Sequence, residues 1–192
     1  AAETPNRRLF VGTVNSETAE FISWDLTRLA ENGQFDLCRT VIQASSANPA
    51  GIWPVMIDGE QHVDGGVRYR LYVDSIFRSM VEASNLAGVP GVKRVYYLVN
   101  GRLGYKTKQI CSWNFPGIMD RALSIALDEG LYGSLYGSWY HMNANGIEWD
   151  FNGVSIPLGV PLPDPGEYDP AEMGPLYQIG VTAGRNNVWE VG

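Results

Sequence analysis

The stretch Ala44-Ser-Ser-Ala-Asn-Pro-Ala-Gly-Ile-Trp-Pro-Val-Met-Ile-Asp-Gly-Glu-Gln-His-Val-Asp-Gly-Gly-Val67 decides how this chain is read. It begins as the end of a helix, crosses a proline- and glycine-rich loop, and then turns back on itself. Asp36 to Ser46 places apolar residues at Leu37, Val41, Ile42 and Ala44, with Asp36 positioned as N-cap. That spacing predicts a helix, which Pro49 and Gly51 end. Val55 to Ile57 and Gln61 to Val63 flank Asp58-Gly59, a pair that favours a two-residue hairpin turn. An acid and two glycines follow, Asp64-Gly65-Gly66.

Upstream, Arg8 to Val14 and Glu20 to Trp24 are β-rich runs around the turn-forming Asn15-Ser-Glu-Thr18, and they predict a second hairpin. Downstream, Val73 to Leu86 repeats apolar residues at helical spacing, and Gly88 to Gly91 forms a connector. Val92 to Val99 is then nearly all β-branched or aromatic, the pattern of a strand covered on both faces in a parallel sheet. Strand, crossover helix and strand together imply α/β architecture. Phe115 to His141 reads as a long helix weakened by Gly130, Gly133 and Gly137. Ile147 to Phe151 and Val154 to Leu158 suggest a hairpin around Asn152-Gly153. Pro157 to Pro170 reads as a loop, and a terminal helix runs from Asp169 or Pro170 to about Asn186.

A net charge of −7 argues against a nucleic-acid partner, whose binding rests on surplus Lys and Arg. The three lysines, Lys93, Lys106 and Lys108, form no convincing basic patch. Cys38 and Cys111 stand at no metal-binding or disulfide-scaffold spacing, and Cys38 falls on the apolar face of its helix. No apolar run reaches the roughly 18 residues of a membrane span.

The Ala44-Ser-Ser-Ala-Asn-Pro49 helix end, followed by Asp64-Gly65-Gly66, resembles the second half of the patatin-like phospholipase signature. The likeness spans most of Arg7 to Val99 and is weaker from Tyr168 to Trp189. It implies an α/β fold, the patatin-like three-layer α/β/α sheet, represented here by its C-terminal portion over residues 1–192. That portion divides into a hairpin at 8–24, a site region at 36–67, a strand at 92–99, and a helical and hairpin region at 115–190.

The resemblance also implies a lipid acyl hydrolase, a phospholipase or esterase, using a Ser–Asp dyad with no cofactor and no metal. Asp64 matches the catalytic aspartate, and Gly65 and Gly66 its supporting turn. In the family, the serine of G-x-S-x-G and a glycine-rich oxyanion loop precede the aspartate, and no G-x-S-x-G occurs in these 192 residues. The expected partners are therefore an N-terminal segment or chain carrying the nucleophilic serine, and a lipid or ester substrate. The isolated chain is expected to be inactive. Similarity to exported bacterial members, with the low lysine count, points to the cell envelope or secretion. One departure is Asn48, which stands before the helix-ending proline where the family usually has an apolar residue.

A carboxylate is a weak base, and it needs a partly desolvated seat within hydrogen-bond reach of the serine. The end of the Gln61–Val63 strand offers one, and two glycines leave room beside it. His62, two residues before Asp64, reads as an ordinary strand residue, His141 as a helix-end surface residue and Asp58 as a turn residue. Trp53, Tyr132 and Tyr136 are candidates for the substrate pocket. Trp113, Tyr132, Tyr136, Trp139, Tyr140 and Trp149 form a wider aromatic set that suits either core packing or an acyl-binding wall. The competing function is a non-catalytic lipid- or glycan-binding or scaffold protein derived from the same fold. A hydrolase using Ser134 or Ser138 is a third reading, but neither serine sits in a strand–turn–helix elbow.

Overall fold

The computed structural model describes residues 7–49, 51–71, 93–100, 114–144, 149–157, 159–160, 169–186 and 190–191. The helix expected at Val73 to Leu86, the connector at Gly88 to Gly91, Cys111 and Trp113 lie outside the described residues, as does most of the proline-rich loop. The chain mixes helices and strands, as an α/β protein does, and divides into two compact units. One comprises Ala1–Val89 with Cys111–Asn145, the other Pro90–Ile110 with Gly146–Gly192.

In the first unit, β1 (Phe10–Asn15) and β2 (Phe21–Asp25) form the expected antiparallel hairpin. Asn15 organises the turn between them, its Oδ1 accepting the N–H groups of Glu17 and Thr18. A short helix, α1 (Leu26–Glu31), follows directly and had not been read from the sequence. Asp25 caps it, its side chain accepting from Arg28 N at 3.0 Å.

Helix α2 (Phe35–Ser45) comes next. Its N-cap is Gln34 rather than the expected Asp36. Asp36 lies in the first turn and pairs with Arg39 at 2.6 Å, one helical turn on. A carboxylate there still complements the helix dipole, so the residue keeps its helix-starting character without capping.

Strands β3 (Val55–Ile57) and β4 (Glu60–Asp64) close the predicted hairpin. Asp58 and Gly59 both take positive φ, 52° and 87°, as a mirror-image turn requires. The sheet order is β2-β1-β4-β3, with every pairing antiparallel. Leu26, Val41, Ala44 and Ile57 form a buried cluster that sets α1 and α2 against this sheet, with Val11, Trp24, Leu37, Cys38 and Val55 packed around it. Cys38 is thus half-buried against the core, as its helical position implied.

The unit also contains α3 (Phe115–Ala144), started by Asn114, whose Oδ1 accepts Gly117 N at 2.8 Å. Gly130, Gly133 and Gly137 do not interrupt it. Neighbouring hydroxyls bond back along the helix, Ser134 to Gly130 O and Ser138 to Ser134 O.

In the second unit, β5 (Lys93–Leu98) pairs parallel with β6 (Trp149–Val154), and β7 (Glu190–Val191) joins β6 antiparallel. Two expectations change here. Strand β5 is covered on one face only: Tyr97 is buried while Tyr96 and Leu98 are exposed. The predicted hairpin around Asn152-Gly153 is instead the unbroken strand β6. The reason is local, because Gly153 pairs with Tyr97 and a Cβ placed on it would fall 1.9 Å from that ring. This glycine makes room for a cross-strand aromatic rather than a turn. Helix α4 (Pro170–Arg185) begins where expected, with Asp169 accepting Ala171 N at 2.8 Å and Pro170 in the first turn. Among the described residues, no helix is long and apolar enough to cross a membrane.

Candidate active site

Asp64 ends β4 opposite Thr13 of β1 and caps a single 3-10 turn, Gly65–Val67. Its backbone N–H donates to the carbonyl of Ala47 at 3.0 Å. The end of α2 and the Asp-Gly-Gly turn, 17 residues apart in sequence, are thereby joined by a main-chain hydrogen bond. Ala47 is fully buried at this junction. The helix-end and Asp-Gly-Gly halves of the sequence pattern form one piece of structure.

The carboxylate is held from one side. Asp64 Oδ1 accepts Gly66 N–H at 2.7 Å, while Oδ2 accepts no hydrogen bond from any described residue. Gly65 seats the turn on β1, and a Cβ there would lie 2.6 Å from the carbonyl oxygen of Gly12 and 2.7 Å from its carbon. Both glycines therefore act by closeness, Gly65 against backbone and Gly66 against the carboxylate, whose Oδ1 lies 3.2 Å from a Cβ built on Gly66. Beyond the turn, the Arg68 guanidinium donates to the carbonyl of Ala19 and lies 5.7 Å from the Tyr69 ring centre. Tyr69 meets Phe21 edge-on at 5.2 Å. These contacts fasten the chain after Asp64 to the β1–β2 hairpin.

The result is a cleft of about 240 Å³ lined by Phe10, Val11, Gly12, Ser45, Asp64, Gly65, Gly66, Tyr69 and Arg70. It contains one acid, one arginine and several apolar surfaces. His62 does not line this cleft: it is 2% exposed, and its Nδ1 lies 3.1 Å from Thr13 Oγ1. Thr13 Oγ1 also accepts from Trp24 Nε1 at 2.8 Å. The imidazole is a hydrogen-bonded core group, in keeping with its reading as an ordinary strand residue.

Of the candidate pocket residues, none lines this cleft. Trp53 is 89% exposed, Tyr136 is exposed and Tyr132 is half-buried. Asp58 is the hairpin turn residue that the sequence suggested. Ser134 and Ser138 lie within α3 with their hydroxyls engaged along the helix, and Ser138 is buried. A helix interior offers no exposed nucleophile elbow.

Gly12, Ser45, Tyr69 and Arg70 had not been identified as site residues. Gly12 carried a usable signal, since an isolated glycine within the run Phe10-Val-Gly-Thr-Val14 marks a close backbone approach. Ser45, Tyr69 and Arg70 carried none beyond adjacency to the motif. Among the described residues, no cluster of His, Cys, Asp and Glu is arranged to hold a metal ion. No protein-family model matches the chain, and no curated protein matches it.

Proposed function

We propose that this chain is the acid-bearing portion of a patatin-like lipid acyl hydrolase, within a three-layer α/β/α sheet fold, and that Asp64 is the base of its Ser–Asp dyad. The observation that carries this reading is the seating of the carboxylate. Asp64 lines the cleft and is fixed there by its own N–H to the carbonyl of Ala47, just beyond α2, and by Oδ1 to Gly66, and Oδ2 is the oxygen that would take the proton.

In the proposed reaction, a serine hydroxyl supplied by an N-terminal segment or chain passes its proton to Asp64. Its oxygen attacks the ester carbonyl of an acyl lipid, and backbone N–H groups stabilise the oxyanion. The alcohol leaves with the proton from Asp64, giving an acyl-serine. Water then attacks the acyl group and gives its proton to the same carboxylate, which passes that proton to the departing serine oxygen, releasing the fatty acid and regenerating the free serine and the carboxylate. Charge is carried by a single carboxylate, and His62 moves no proton in this scheme.

The test uses a serine-reactive fluorophosphonate. Residues 1–192 alone should remain unlabelled and show no p-nitrophenyl ester turnover above background. The protein extended through its serine-bearing segment should label at one serine outside residues 1–192. Labelling of Ser134, Ser138 or Ser45, with turnover by the isolated chain, would overturn the proposal.

A further inference from the structure

We propose that Arg70 selects the substrate of the Asp64 cleft, favouring acyl esters whose alcohol carries a phosphate over uncharged esters; this rests on the reading of that cleft as an acyl-ester site. Arg70 is exposed and lines the cleft together with Asp64, Ser45 and Tyr69. A Cβ built on Gly66 would lie 3.2 Å from Asp64 Oδ1 and 3.9 Å from Arg70 Cγ. The carboxylate and the stem of the arginine thus flank the same glycine. Arg68, two residues earlier, donates instead to the carbonyl of Ala19 in the turn between β1 and β2.

Charge favours the phosphate. The chain has 21 acidic and 14 basic residues, so its overall field repels an anionic substrate. The Asp64 carboxylate adds to that repulsion where the ester must sit. A neutral ester is indifferent to both. An anionic one needs a cation close to Asp64, and among the described residues lining the cleft Arg70 is the one cation. A guanidinium presents five N–H donors in a planar fork that fits phosphate oxygens two at a time. It can therefore take a phosphate beside the other contact that Arg70 makes. The acyl chain of a lipid is apolar, so the charge lies on the alcohol side, a few bonds from the scissile ester. In the proposed reaction that alcohol leaves with the proton from Asp64. Arg70 holds the phosphate and moves no proton, so it sets which ester is taken rather than how it is cut.

The experiment gives the complete protein, as parent, Arg70→Gln and Arg70→Lys, two soluble substrates that differ only in charge. One is a short-chain monoacylglycerol, the other the monoacylglycerol phosphate with the same acyl chain. The readout is the ratio of kcat/KM for the phosphate ester to that for the neutral ester. Arg70→Gln should lower this ratio by about 10–100-fold, the loss expected for one charge-assisted contact, chiefly through KM for the phosphate ester. Arg70→Lys should retain part of the preference, because it keeps the charge and loses the fork. A merely structural role would lower both substrates together and leave the ratio unchanged. Binding of a non-hydrolysable ether-linked alkylglycerol phosphate, measured by calorimetry against the uncharged alkylglycerol, should show the same dependence on Arg70 without any turnover. Arg70-dependent binding of that ether by a protein that hydrolyses neither ester would leave the anion site standing while the hydrolase reading failed. An unchanged ratio in Arg70→Gln, a parent that prefers the neutral ester, or ether phosphate binding equal in parent and Arg70→Gln would each overturn the Arg70 proposal and leave the hydrolase reading untouched.

Discussion

Replacing Gly65 with alanine probes the contact on which the candidate site is built. The added Cβ would lie 2.6 Å from the carbonyl oxygen of Gly12, so turn and strand must part by about 0.8 Å to restore ordinary contact near 3.4 Å. Both sides of this contact are backbone. β1 is held between β2 and β4, and the turn is held by Asp64 N–H on Ala47 and by Arg68 on Ala19. Overpacking of this kind costs about 1–3 kcal/mol. Gly65 does not have positive φ, so alanine also restricts the unfolded chain and returns about 0.4–1 kcal/mol. The net loss is about 1–2 kcal/mol, or roughly 2–8 °C in melting temperature for a chain of this size. Gly66→Ala is the control. The atoms nearest its Cβ among the described residues are those of the Asp64 carboxylate and the Arg70 side chain, at 3.2 Å or more, and its stability should stay within about 0.5 kcal/mol of the parent. Urea unfolding followed by circular dichroism measures both variants. A Gly65→Ala variant as stable as the parent, or less affected than Gly66→Ala, would refute the argument.

Other outcomes follow from the same contacts. Thr13→Val leaves the buried His62 Nδ1 and the indole N–H of the half-buried Trp24 without their shared partner; urea unfolding should show a loss of about 1–3 kcal/mol. Gly153→Ala should displace the Tyr97 ring, which its Cβ would meet at 1.9 Å, and a changed near-ultraviolet tyrosine signal with a lower melting temperature would record it. Asp169→Ala removes the cap of α4 and should reduce stability by about 1 kcal/mol, measured by the same unfolding curves.

Much of the first unit was legible in the sequence because its signals are local. Asp58-Gly59 specifies its own turn, and the apolar spacing of Leu37, Val41 and Ala44 specifies the buried side of α2. Asp169-Pro170 likewise marks the start of α4. What escaped the reading depends on partners distant along the chain. Gly153 looks like a turn residue until Tyr97 is seen across from it, and Gly12 marks a close backbone approach without saying that Gly65 is what rests on it. The exposure of Tyr96 and Leu98 was hidden for a related reason: an apolar run fixes a strand but does not say how many of its faces are covered. At the site, Asp64 and its glycines were recognisable as a motif. The main-chain bond from Asp64 to Ala47 carries no sequence signature, since backbone groups are common to all residues. The cleft residues Ser45, Tyr69 and Arg70 were invisible because residue type alone does not say which way a surface side chain faces.

The most direct test of the central claim is ester hydrolysis by a complete protein containing this segment, comparing Asp64→Asn and His62→Ala with the parent and following thermal melts in parallel. Asp64→Asn keeps the size and shape of the side chain, and its oxygen can still accept Gly66 N–H, but it cannot take the serine proton. Turnover should fall by about 10²–10⁴-fold with little change in melting temperature. His62→Ala removes a buried, hydrogen-bonded ring, so it should lower the melting temperature yet cost at most a few-fold in turnover below that temperature. Full turnover in Asp64→Asn together with its loss in a folded His62→Ala protein would contradict the dyad and leave Asp64 as a turn residue only.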